Sequence, residues 1–197
     1  MNRSSKLYTV GISVVGLSLG VYCAADYFRR IFSSPQRPSE LRQLFILWIL
    51  YLVCQCLPIV IRDNCAIDMS FICDLAAVLS KGPEALVLLS TPFMVRRGGK
   101  SNKKLIHIFN TPPIKTMFNA SDFVITLFVS GTLYQKLGGP VGALSVQKFI
   151  LPGIVLVFCI IVLNSSILMF LFFLSEKAPF FPALLKNVVE FLPNMVA

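Results

Sequence analysis

Five long apolar stretches, at residues 7–28, 41–61, 66–95, 118–137 and 149–174, organise the chain, with short polar links between them. About twenty helical residues, at about 1.5 Å each, cross the ~30 Å hydrocarbon layer of a bilayer. The pattern therefore predicts an all-α integral membrane bundle of about five transmembrane helices, forming one multi-pass domain over residues 1–197. A sixth apolar segment, residues 179–192, places Phe180, Phe181, Leu184, Leu185, Val188 and Val189 around Lys186 and Glu190. That alternation suits a helix lying along the membrane interface.

The first stretch begins after Arg3 and Lys6 and stops at Arg29 and Arg30. Cys23-Ala24-Ala25 imitates a signal-peptide cleavage site, but an arginine pair directly behind the cut opposes export, so a retained anchor is expected. Gly16, Gly20 and Ala24 recur every four residues, and Thr9 and Ser13 continue the stripe, which lets another helix backbone approach closely. The second stretch carries the single tryptophan, Trp48, and has Pro58 near its end.

The third stretch is too long for one upright crossing and is broken at residues 82–83 by Gly82 and Pro83. One tilted span kinked there, or two half-helices that dip in and turn back, both fit its length. The positive-inside rule chooses between them. A single crossing gathers twelve Lys and Arg on one face against five on the other, so the kinked span is expected.

The fourth stretch is interrupted by Asp122, Ser130, Gly131, Thr132 and Gln135 and needs shielding by neighbours. Residues 138–142 form a flexible glycine-rich link without the lysine of a phosphate loop. The fifth stretch has Pro152 near its start and Asn164, Ser165 and Ser166 at its middle.

Composition agrees with this pattern. With 56% hydrophobic and 14% charged residues and a mean hydropathy of +0.77, the chain has more apolar surface than a water-soluble protein of its size could hide. The net charge of +9 gathers at the ends of apolar stretches instead of on one basic face, which argues against nucleic acid as a partner. The densest cluster, Arg96, Arg97, Lys100, Lys103 and Lys104, suits anionic lipid headgroups. Five of the six cysteines lie in apolar stretches and are expected to be packing thiols. Cys54 and Cys56 would point about 200° apart on a helix, too far to share a metal.

Chemistry is sparse. Asp74, Lys81 and Glu84, spaced seven and three apart, would share one face of a continuous helix and neutralise one another. Exposed to lipid, each charge would cost roughly 2.5 to 3.5 kcal/mol, so the three must face protein, water or a partner. They are the candidates for an ion pathway, with Asn164 and Ser165 as mid-span polar groups. His107 reads as a solvated link residue, and no zinc box, nucleophile elbow or paired carboxylate site occurs.

The expected role is accordingly that of a non-enzymatic accessory or assembly subunit of a larger membrane complex. It would have lipids and other membrane subunits as partners, and no cofactor or metal. A small transporter using the Lys81 to Glu84 break is the competing expectation. The acid-free start of the chain, with its Arg and Ser residues, favours an organelle membrane, mitochondrial inner or endoplasmic reticulum, over the plasma membrane.

Overall fold

The structure, a computed structural model, describes residues 2–55, 59–62, 65–67, 70–90, 96–97, 105–106, 112–142, 145–176 and 179–191. Its helices are α1 (Arg3–Ser33), α2 (Arg37–Gln55), α3 (Ser70–Lys81), α4 (Pro83–Ser90), α5 (Pro113–Lys136), α6 (Val146–Glu176) and α7 (Phe180–Phe191). Two short antiparallel ladders lie in the links, β1 (Ile59–Arg62) with β2 (Cys65–Ile67) and β3 (Arg96–Arg97) with β4 (Leu105–Ile106). The helical class is as expected, and α1 and α6 are long and apolar enough to cross a membrane.

Local chemistry sets the helix ends. Asn2 caps α1 by accepting from the Ser5 N–H at 2.9 Å. After Ser33 the chain turns, and the Ser34 hydroxyl donates to Glu40 Oε1 at 3.1 Å while accepting from the Gln36 N–H at 3.2 Å. Pro113 opens α5, where a missing N–H costs nothing. Pro152 falls in the second turn of α6, which continues through it.

α5 is the central helix, packed on α1, α4 and α6. Its Ser121 hydroxyl donates to the Ser13 carbonyl of α1 at 3.1 Å. Gly16 makes this approach possible, because a Cβ there would lie 2.5 Å from Ser121 Cα. Further along, Cys23, Val87 and Val124 form one buried cluster and Tyr27, Ile31 and Ala85 another. Ala77, Val78, Leu127, Tyr134 and Leu156 join α3, α5 and α6.

Along the first half of α1 polarity runs opposite to that of a helix in a soluble bundle. α1 buries Ser5, Thr9, Ser13 and Gly16 and turns Leu7, Val10, Val14, Val15 and Val21 outward, the last 70% exposed. Thr9 satisfies its hydroxyl on the Ser5 carbonyl at 2.8 Å. α2 exposes Phe45, Ile46, Ile49, Leu50 and Val53; α6 exposes Ile150, Leu151, Ile154 and Phe158; α7 exposes the row Phe181, Leu185, Val189.

Contacts fix the helix directions. Tyr8 meets Phe118 with ring centroids 6.2 Å apart, Ser13 and Gly16 meet Ser121, and Gly20 faces Val124, so α1 and α5 run parallel. Asn2 Nδ2 donates to the Leu174 carbonyl at 2.5 Å and the Tyr8 hydroxyl to the Ile167 carbonyl at 3.0 Å, so α6 runs antiparallel to α1. Five alternating crossings would put the start of the first helix and the end of the last on opposite faces. Here they touch, so five crossings are not confirmed by the described residues.

Three boundaries also differ from expectation. The helix expected over 41–61 ends at Gln55, and the β-branched run Ile59, Val60, Ile61 joins a strand. The single kinked span expected over 66–95 is two helices: α3 begins at Ser70 after a strand, and α4 is separate from it. Residues 91–95 of that stretch lie outside the described residues. The outer segments expected at 7–28, 118–137, 149–174 and 179–192 form as helices, the first three longer at both ends or at the start.

Gly16→Leu is expected to lower the stability of the detergent-solubilised chain by about 1 to 3 kcal/mol, the usual range for overpacking. Gly11 has nothing within 4 Å, so Gly11→Leu should leave the melting temperature unchanged. Thermal unfolding of the two variants side by side checks both.

Candidate functional site

The site is built around the gap between α3 and α4. Gly82 has φ +90°, a conformation that favours glycine, and Pro83 has no N–H. In an unbroken helix the Leu79 carbonyl would bond residue 83. Here it accepts instead from the Gly142 N–H at 2.7 Å, so the link after α5 supplies the missing donor. Gly131 of α5 receives Pro83, and a Cβ on it would fall 2.7 Å from the proline Cβ. The break is thus clamped to α5 and its following link.

Two charged groups of α1 close the site. Arg30, in the last turn of α1, donates through Nε to Asp26 Oδ2 at 2.9 Å, pairs with the same carboxylate through a terminal nitrogen, and reaches Glu84 Oε1 at 2.9 Å. Glu84 lies in the first turn of α4 and Arg30 at the C-terminal turn of α1, positions where helix-end partial charges favour them. Among the described residues, the buried Glu84 Oε2 makes no hydrogen bond, nor does the buried Tyr27 hydroxyl in the same α1–α4 contact. Two carboxylates share one guanidinium, so the cluster carries one excess negative charge and an oxygen able to accept a further donor.

The expected trio does not assemble. Its spacing argument presumed a continuous helix, and the turn at Gly82 resets the helical phase between Lys81 and Glu84. Lys81 is half-buried on the α2 side, lining a shallow depression of about 250 Å³ with Gln43, Ile46, Leu47 and Ser80. Among the described residues it forms no ion pair. Asp74 is buried in α3. Ser165 is buried and Asn164 half-buried in α6.

The packing stripe divides in use. Gly16 is pressed against Ser121, Gly20 makes ordinary contact with Val124, and Ala24 is half-buried, so this face serves packing within the chain. Of the lipid-headgroup cluster, Arg96 and Arg97 lie in β3, while Lys100, Lys103, Lys104 and the link histidine His107 lie outside the described residues.

Two participants, and one buried carboxylate elsewhere in α5, were not singled out from the sequence. Asp26 and Arg30 stand four apart at the end of α1, the spacing of a helical ion pair, and that signal was available. Asp122, read as an interruption, is 5% exposed in α5, and its Oδ1 accepts from the Thr126 hydroxyl at 3.3 Å. Among the described residues no group of three His, Cys, Asp or Glu could hold a metal. No protein-family model, no curated protein and no solved structure matches the chain.

Gly131→Ala is expected to destabilise the fold by about 1 to 3 kcal/mol, since Pro83 cannot yield without moving α4. A double-mutant cycle of Arg30→Gln and Glu84→Gln should give a coupling below about 1 kcal/mol, because Arg30 is half exposed. Chemical denaturation in detergent measures both.

Proposed function

We propose that the chain is an integral membrane protein that serves as a non-catalytic accessory or assembly subunit of a larger membrane complex. The observation that carries the partner role is Lys81. It stands without an ionic partner among the described residues, beside Gln43 and Ser80 and next to the apolar outer face of α2. At the bilayer centre such a charge would cost roughly 2.5 to 3.5 kcal/mol; Lys81, nearer the face beside Gln43 and the α5–α6 link, would bear part of that cost, which an acidic group of a neighbouring subunit would offset. The large apolar side chains turned outward on α1, α2 and α6 support lipid as the surrounding solvent. Within the apolar windows of α1 and α6 only 22% and 17% of residues are buried.

Four crossings, by α1, α2, α5 and α6, fit the helix directions. α1 and α5 are parallel, so an odd number of crossings must lie between them, and α2 supplies one. At about 28 Å it matches the hydrocarbon thickness, whereas α3 and α4, at about 18 and 12 Å, are too short to cross alone. α3 lies antiparallel to α2, with Cys73 near Cys54 and Lys81 near Gln43. α4 lies antiparallel to α1, with Glu84 at Arg30 and Val87 at Cys23. These two helices are read as a pair that enters and leaves by the same face. Eleven Lys and Arg then flank the face where α1 starts and six the other, so the first face is assigned to the cytoplasmic or matrix side of an organelle membrane.

A transporter role is the second reading. Buried oxygens without hydrogen bonds among the described residues, Ser13 Oγ, Tyr27 OH, Glu84 Oε2 and Ser130 Oγ, favour it, because a polar solute or water could serve them.

Mild-detergent extraction of the tagged chain should yield a complex larger than one chain, and Lys81→Glu should release the co-purifying subunit while leaving the melting temperature within a few degrees. A lone monomer from both proteins would overturn the subunit role. Solute uptake by liposomes holding only this chain, abolished by Glu84→Gln, would establish the transporter instead.

A further inference from the structure

We propose that Cys54 and Cys73 are a redox site, joined by a disulfide when the chain meets a disulfide oxidant. Their sulfurs lie 3.6 Å apart, one in the last turn of α2 and the other in the first turns of α3. Closing that gap to the ~2.05 Å of a disulfide needs a movement of about 1.5 Å, within reach of side-chain rotation. Cys73 is buried and Cys54 partly exposed, so an oxidant meets Cys54 first and Cys73 is placed to resolve the mixed disulfide. The link between them carries Arg62, Asp63, Asn64 and Asp68 in sequence, so an aqueous oxidant is expected to reach this end of the two helices. The proximity was not legible in the sequence, where both thiols read as inert packing groups.

The chemistry balances as follows: the two S–H bonds break, one Sγ–Sγ bond forms, and two electrons and two protons pass to the disulfide of an oxidised dithiol, which leaves as two thiols. The product ties together α2 and α3, the two helices that border the Lys81 depression. The site is independent of the proposed subunit role.

The full chain in membranes is treated with diamide, whose N=N bond takes up the same two electrons and two protons. It is then denatured and its remaining thiols are counted with a maleimide-linked polyethylene glycol. Wild type should fall from six labels to four, while Cys54→Ser and Cys73→Ser each hold at five. Cys56→Ser/Cys65→Ser should fall from four to two, since the neighbouring cysteines take no part. Peptide mapping of oxidised wild type, which needs no variant to fold, should recover the Cys54 peptide bonded to the Cys73 peptide. Six labels retained in wild type, or any other linkage in the map, would overturn the proposal.

Discussion

The bundle depends on how closely α5 approaches α1. Ser121 can reach the Ser13 carbonyl only because Gly16 presents no side chain, and the same approach brings Val124 to Cys23 and Val87. The contacts that α1 makes further along with α4 and α5 follow from this one. Were α1 displaced by the width of a leucine, α4 would lose its α1 neighbours, and Arg30 would no longer span the distance to Glu84. Small and hydroxylic residues are suited to such a contact in lipid. Between apolar helices there is no hydrophobic gain over contact with lipid tails, so dispersion at short range and hydrogen bonds to backbone carbonyls carry the association.

The same reasoning bears on why a proline and a glycine stand in the middle of the third apolar stretch. A break in a helix exposes backbone groups that hydrocarbon cannot satisfy. Leu79 and Gly142, 63 residues apart in sequence, resolve that difficulty with one hydrogen bond of 2.7 Å. The acceptor was set free by Pro83, and the donor comes from a link held at the end of α5. Gly131 completes the fit by letting Pro83 rest on the α5 backbone. The break is therefore a place where α3, α4, α5 and the α5–α6 link lock together, and the charges of Asp26, Arg30 and Glu84 gather at its rim.

Helix existence was legible in the sequence because it follows from local periodicity and length. The α1 stripe of Thr9, Ser13 and Gly16 was legible too, although its partner was not: Ser121 looked like one more interruption in a weak apolar stretch. The ionic trio failed for a definite reason. Spacing arguments hold only while the helix keeps its phase, and a residue at φ +90° discards it, sending Lys81 toward α2 and Glu84 toward α1. Likewise the ladder of Ile59, Val60 and Ala66 was hidden, because an apolar run of β-branched residues reads equally well as the end of a span.

Charge counting does not by itself fix the path of the third stretch, and the cause lies in how the charges are distributed. With a single crossing, twelve basic residues fall on one face and five on the other; with the turned-back pair the division is eleven to six. Both divisions satisfy the positive-inside rule, since the C-terminal lysines stay with the densest cluster in each and the two flanks of α1 only exchange faces relative to it. A rule that both arrangements obey has no power to separate them. Contact between the two ends of the bundle favours the turned-back pair proposed above. Asn2 bonding Leu174, and Tyr8 bonding Ile167, require the first and last long helices to run in opposite directions, whatever the intervening links carry.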